Sequence, residues 1–225
     1  MESSRLEELL APAEAAVADG SPPLAATGFW KAVAAAKRDA SLRERYAARL
    51  AAIDRSAFEH WALLRIGIRP GTWIMLAATA VAIGIVGVAY AAPEPWDGIL
   101  LLASTVGLVT TTHGLAHLAV GSIAGIKFTH WFIGSATRPQ PGVKIDYESY
   151  LAAPARRRAQ MHAAGAVVSK LMPFLLLGAA LGMDAPLWAW VGLIIFGVVQ
   201  VVTDLLWSVK ASDWKRYQRE MRYVD

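Results

Sequence analysis

Thr110-Thr111-Thr112-His113-Gly114-Leu115-Ala116-His117 stands inside an apolar run from Gly98 to Ile126, and its reading decides the fold. The run exceeds the ~20 residues with which a helix crosses the hydrocarbon core of a bilayer. On such a helix two histidines four apart project from one face, one turn above the other. That spacing lets both imidazoles reach a single metal ion. Ionisable side chains at membrane depth are costly and are retained where they serve a purpose. His113 and His117 are therefore the first candidate site.

The rest of the chain is of the same character. It has 225 residues, 56% hydrophobic and 18% charged, with a mean hydropathy of +0.39. Such a composition is too apolar for an ordinary water-soluble domain and places the chain in a membrane class. Cysteine is absent, which excludes disulfides, thiolate ligands and a cysteine nucleophile, so a metal site must use histidine and carboxylate. The net charge is +4. Its basic residues cluster beside apolar spans, where they act as topology and lipid-headgroup signals and not as a nucleic-acid surface. The polar start, Met1-Glu2-Ser3-Ser4-Arg5-Leu6-Glu7-Glu8, is followed by no apolar core of a signal peptide.

Outward from the histidine run, four apolar spans are expected: Thr72 to Ala92, Gly98 to Ile126, Ala159 to Gly182 and Pro186 to Val209. The fold class is thus an all-α membrane protein of about four transmembrane helices. It divides into an N-terminal soluble segment, residues 1–65, and a membrane domain, residues 66–225. The short links Pro93-Glu94-Pro95-Trp96-Asp97 and Met183-Asp184-Ala185 hold no Lys or Arg. By contrast, Arg65 and Arg69 precede the first span. Lys127, Arg138, Lys144 and Arg156-Arg157-Arg158 fill the middle link, 127–158, and Lys210, Lys215, Arg216, Arg219 and Arg222 follow the last span. The positive-inside bias puts both termini and the middle link in the cytoplasm, in a cell inner membrane. Arg156-Arg157-Arg158 reads as an interfacial anchor to anionic lipid.

The N-terminal segment reads as helical. Ser4 with Glu7 and Ser41 with Glu44 form capping boxes, and Gly20-Ser21-Pro22-Pro23 breaks the chain between them. Leu42, Tyr46, Leu50, Ile53, Ala57 and Trp61 recur at helical steps and form an apolar face; His60 beside it is a packing or interfacial residue. In the middle link, Phe128 to Ile133 and Val143 to Tyr147 have extended character and suggest a short hairpin.

Depth links the remaining polar residues. At ~1.5 Å per residue, His117 and His113 lie roughly 15–20 Å from Lys127, and Asp204 lies roughly 9 Å from Lys210. Lys170 enters the third span to a similar depth. Asp204 is the candidate third ligand beside His113 and His117. Its other reading is an ion pair with Lys170. Thr112 and Ser169 are the neighbouring polar groups placed to orient a water.

These residues resemble the site-2 protease-like intramembrane zinc metalloproteases. That family carries His-Glu-x-x-His in one membrane helix and an Asp in a later one. Here the first motif stands as His113-Gly114-Leu115-Ala116-His117. The later segment stands as Thr203-Asp204-Leu205-Leu206-Trp207-Ser208, followed by Lys210-Ala211-Ser212-Asp213-Trp214-Lys215-Arg216. Ala163-Ala164-Gly165-Ala166-Val167-Val168-Ser169-Lys170 is similar to the small-residue helix that packs beside the site in that family. The resemblance covers about residues 70 to 216. It implies zinc held by His113, His117 and a later Asp, for which Asp204 is preferred because Asp213 lies beyond Lys210.

Two departures matter. Gly114 occupies the place of the glutamate that serves as general base, and the loss of such a base commonly removes ~100- to 10,000-fold in rate. The later segment also lacks the family's Asn-Pro and Leu-Asp-Gly pattern. The expectation is a pseudoprotease that keeps a His/His/Asp metal or polar site. It would bind the lipid bilayer and a transmembrane helix of a partner. Gly114, Gly121 and Gly125 give the second span a small face, read first as packing within its own bundle. Two other readings stay open: an active zinc protease with a base from Asp146 or Glu148, and a proton or ion transporter using His113, His117, Lys170 and Asp204.

Overall fold

A computed structural model describes residues 3–20, 24–137, 139–206 and 212–224. Ser21, Pro22, Pro23, Arg138, Trp207, Ser208 and Lys210, together with the expected end of the last span at Val209, lie outside the described residues. The chain divides into two compact units.

One unit holds the long apolar helices. They are α4 (Ile68–Ala89), α5 (Trp96–Ile123), α7 (Ala155–Gly182) and α8 (Leu187–Leu206), and each is long and apolar enough to cross a membrane. α9 (Asp213–Met221) follows. α4 starts four residues before the expected Thr72. Pro70 is accommodated because the first turn of a helix has no internal partner for an N–H there. α5 stops at Ile123 and not Ile126. Gly125 adopts φ 79°, its amide bonds to Ser122 and the Ile126 amide bonds to Gly121, so the last carbonyls are capped by a left-handed residue. Gly125 is therefore a helix stop and not part of a small helical face.

These helices share one core, in which Ala82 of α4, Leu101 and Leu108 of α5, Leu176 and Ala180 of α7 and Ala189 and Leu193 of α8 are buried together. Close approach of α7 and α8 depends on Gly197, where an added Cβ would come within 2.6 Å of the Phe174 ring. The opposite faces carry large exposed apolar residues, among them Trp73, Val81, Ile83, Leu175, Leu187 and Leu205. So much apolar surface on every helix fits hydrocarbon and not water. The chain is an all-α, multi-pass membrane protein with four spans.

The other unit contains α1 (Ser3–Ala18), α2 (Phe29–Arg38), α3 (Ala40–Trp61), β1 (Leu64–Gly67), β2 (Phe128–Ile133), β3 (Pro141–Ile145) and α6 (Tyr147–Ala152). The middle link thus groups with the N-terminal helices. The α3 face is buried at Leu42, Tyr46, Leu50, Ile53 and Ala57, while Trp61 is half-buried. His60 is exposed, and its Nδ1–H donates to the Ser56 carbonyl. Neither expected capping serine stands at the residue before its helix. Ser4 lies inside α1, and α3 is capped by Asp39, whose carboxylate accepts from the amides of Ser41 and Leu42. Asp39 wins because it stands at the last extended residue before the helix, the position where an acceptor side chain reaches the second and third amides.

The hairpin is present, β2 pairing antiparallel with β3, and a third strand joins it, with Leu64 opposite Ile133 and Gly67 opposite His130. β1 carries too few residues to announce itself by alternation, and its pairing with β2 is what makes it a strand. Arg158 is not a lipid anchor. It is buried, its Nη1 donates to the Ala153 carbonyl at 2.6 Å, and its guanidinium lies over the Tyr150 ring. Only Arg156 and Arg157 remain exposed.

Candidate metal centre

The centre is built on α5. Thr112 spends its hydroxyl on the Leu108 carbonyl one turn back and Thr105 does the same on Leu101, so these polar side chains are satisfied within their own helix. His113 and His117 have no such local outlet. Four residues apart, they stack edge to face with ring centroids 4.7 Å apart, and their Nε2 atoms come within 3.2 Å of each other.

A carboxylate closes the triangle. Oδ2 of Asp213, the first residue of α9, lies 3.1 Å from Nε2 of His113 and 3.1 Å from Nε2 of His117. Of the three side chains, His117 and Asp213 are largely covered and His113 is 37% exposed. Among the described residues, these three form the cluster whose donor atoms are close enough to share one ion.

The second nitrogens decide the protonation pattern. Nδ1 of His117 lies 2.7 Å from the Met161 carbonyl, which can only accept, so Nδ1 carries the hydrogen. Nδ1 of His113 lies 3.4 Å from Ser169 Oγ. That hydroxyl already donates to the Gly165 carbonyl at 2.9 Å, so it accepts from His113. A neutral imidazole with hydrogen on Nδ1 presents a lone pair at Nε2. Two such lone pairs and a carboxylate oxygen then converge on one point. Only a cation among them removes the repulsion: a second proton on an imidazole, or a metal ion.

The donor set fits a metal. Four-coordinate zinc with bonds of about 2.0–2.1 Å separates its ligand atoms by roughly 3.3–3.4 Å, and the triangle's edges are 3.1, 3.1 and 3.2 Å. Space is reserved beside it: a Cβ on Gly165 would fall 2.3 Å from His117 Nε2. Burial alone would raise the Asp213 carboxyl, but in the metal-free form, where an imidazole takes the second proton, hydrogen bonds from His113 and His117 and the positive charge of His117 and Arg216 hold it far below its ordinary value of 3.8. A carboxyl that stays ionised is ready to ligate.

Asp204, preferred from the sequence, is not the carboxylate on the histidines. Its Oδ2 lies 2.6 Å from Lys170 Nζ, and Lys170 also donates to the Ala166 carbonyl. Two opposite charges within spans satisfy each other, which leaves Asp213 to meet the imidazoles. Ser169 holds His113 through Nδ1, and Gly114 is buried at the position where a base was looked for. Asp146 caps α6, accepting from the Ser149 amide, and pairs with Arg55; Glu148 sits in the first turn of α6.

Two neighbours of the centre are not recognised as such in the sequence reading. His162 is buried, with Nδ1 3.9 Å from Asp213 Oδ1, and Arg216 Nη1 lies 3.7 Å from the same oxygen. The available signal was periodicity: His162, Gly165 and Ser169 repeat at three and four residues along one face of α7, as do Asp213, Arg216 and Glu220 along α9. No family model, curated protein or solved structure matches the chain.

Proposed function

We propose that this membrane protein carries a zinc centre at His113, His117 and Asp213 and works as a pseudoprotease of site-2 protease-like ancestry. It would sit in a cell inner membrane with both termini in the cytoplasm and bind a transmembrane helix of a partner. The observation that carries the reading is the convergence of two Nε2 atoms and one carboxylate oxygen on a common point, with each Nδ1 turned to an oxygen of its own, the Ser169 hydroxyl or the Met161 carbonyl. Two nitrogens and one oxygen suit zinc better than magnesium or calcium, which prefer oxygen throughout.

The residues around the centre support binding over turnover. Zinc, when bound, supplies a Lewis acid able to polarise an oxygen donor. Met161 and Ser169 orient the two imidazoles, and outer partners of this kind fix ligand geometry. Gly114 can neither accept nor return a proton, and Asp213 is committed to the histidines. A proton-transfer partner for peptide hydrolysis is therefore absent from the positions next to the motif.

The test is metal content of the full-length protein purified in detergent. About one zinc per chain is expected, lost in His113→Ala, His117→Ala and Asp213→Asn and kept in Asp204→Asn. Loss in Asp204→Asn with retention in Asp213→Asn would return the third ligand to α8. A metal-free wild type, grown with zinc supplied, would remove the zinc reading and leave a protonated His/His/Asp cluster.

A further inference from the structure

We propose that His162 is a positioning residue of the metal centre, holding the outer oxygen of Asp213 so that a single oxygen faces the paired imidazoles. This role rests on the zinc reading given above.

Asp213 divides its two oxygens. Oδ2 stands 3.1 Å from both Nε2 atoms, while Oδ1 is turned toward His162 Nδ1 at 3.9 Å and Arg216 Nη1 at 3.7 Å. Arg216 lies one turn further along α9 and is 44% exposed, so it moves with Asp213 and cannot register it against the histidines. His162 differs on both counts: its side chain is 7% exposed, and it belongs to α7. That helix already supplies the Met161 carbonyl for His117, the Ser169 hydroxyl for His113 and the bare Gly165 backbone beside His117. One helix thus references all three ligands.

The chemistry needs such a reference. A carboxylate can present one oxygen or two to a metal, and the choice sets the coordination number. An imidazole N–H on the outer oxygen favours the single-oxygen mode, as outer partners of ligating carboxylates do. At 3.9 Å the contact is long for a hydrogen bond, and a shift of about 1 Å closes it.

The experiment uses cobalt(II) as a spectroscopic probe in the full-length, detergent-purified protein. It compares wild type with His162→Ala and His162→Asn, each checked for helix content by circular dichroism. Asparagine places an amide N–H near the position of Nδ1. His162→Ala should weaken cobalt binding, read by chelator competition, by about 10- to 100-fold, and should lower the visible absorption as coordination number rises. His162→Asn should restore most of both. Unchanged affinity and spectrum in His162→Ala overturns the role. Equal losses in both variants with an unchanged spectrum also overturn it, since His162 then only fills space. A wild type that takes no cobalt fails before either variant enters, and overturns the metal centre and this role together.

Discussion

At Gly165 the absence of a side chain decides where an imidazole can lie. The nearest atoms to a Cβ there are Nε2, Cε1 and Cδ2 of His117, at 2.3, 2.6 and 2.7 Å, and that ring is pinned at its other nitrogen by the Met161 carbonyl. The ring cannot retreat without giving up this bond. Gly165→Ala should therefore abolish stoichiometric zinc binding while leaving helix content and thermal stability near wild type, because alanine favours a helix interior over glycine by about 1 kcal/mol. Zinc content beside a circular-dichroism melt checks it, and full zinc occupancy in the variant would show that His117 is not held as described. Residue-scale chemistry was legible only in part. The histidine pair follows from a four-residue spacing, which any helix converts into proximity. The partner carboxylate does not: depth favoured Asp204 and set aside Asp213, which lies beyond Lys210, whereas the ammonium of Lys170 takes Asp204 and leaves Asp213 for the imidazoles.

Between elements, a guanidinium ties two of the N-terminal helices beside their buried apolar residues, Leu6, Leu10 and Ala13 on α1 and Leu50 and Ile53 on α3. Arg49 of α3 donates through Nε and Nη2 to both carboxylate oxygens of Glu14 and through Nη1 to Glu7, both on α1. Two parallel bonds to Glu14 fix orientation as well as distance. The hydrogen bonds to Arg49 lower the carboxyls of Glu7 and Glu14 from their ordinary value of 4.5. A carboxyl lowered by folding stabilises the folded arrangement above its unfolded value and loses that contribution as pH falls through the folded one. The join between α1 and α3 should hold at pH 6 and loosen below about 4.5. Because the chain has no cysteine, spin labels at Ala15→Cys and Ala52→Cys report α1 and α3 alone. Their distance distribution should broaden between pH 6 and pH 3.5, and in Arg49→Met it should be broad at both. A distribution in Arg49→Met at pH 6 as narrow as that of the parent chain would refute the tie. At this scale the α3 face could be read from the sequence because helix burial is a local period. β1 could not, since a four-residue strand exists through its partner.

For the whole molecule, hydropathy carries most of the information because a bilayer asks one simple thing of each span: enough consecutive apolar residues to satisfy the backbone internally while facing lipid. That demand is local, so four spans could be placed from composition. Their ends could not be placed as well, because they depend on caps such as Gly125 and Pro70. The side on which each link lies is a further question, and the charges argue it. Lys127 and Lys144 stand in the middle link and Arg65 and Arg69 before α4, whereas residues 90–95, between α4 and α5, include no Lys or Arg. Translocating a basic loop against the membrane potential is disfavoured, so the middle link should be cytoplasmic and the short link between α4 and α5 should face the other side. Glu94 and Glu148 are both exposed and accept a single introduced cysteine. A membrane-impermeant maleimide should label Glu94→Cys in right-side-out vesicles and Glu148→Cys only in inverted or permeabilised ones. The reverse pattern would turn the protein over in the membrane. It would then place the basic links outside, against the charge rule. Labelling of both positions from one side would break the alternation of the spans and require that α4 or α5 does not cross.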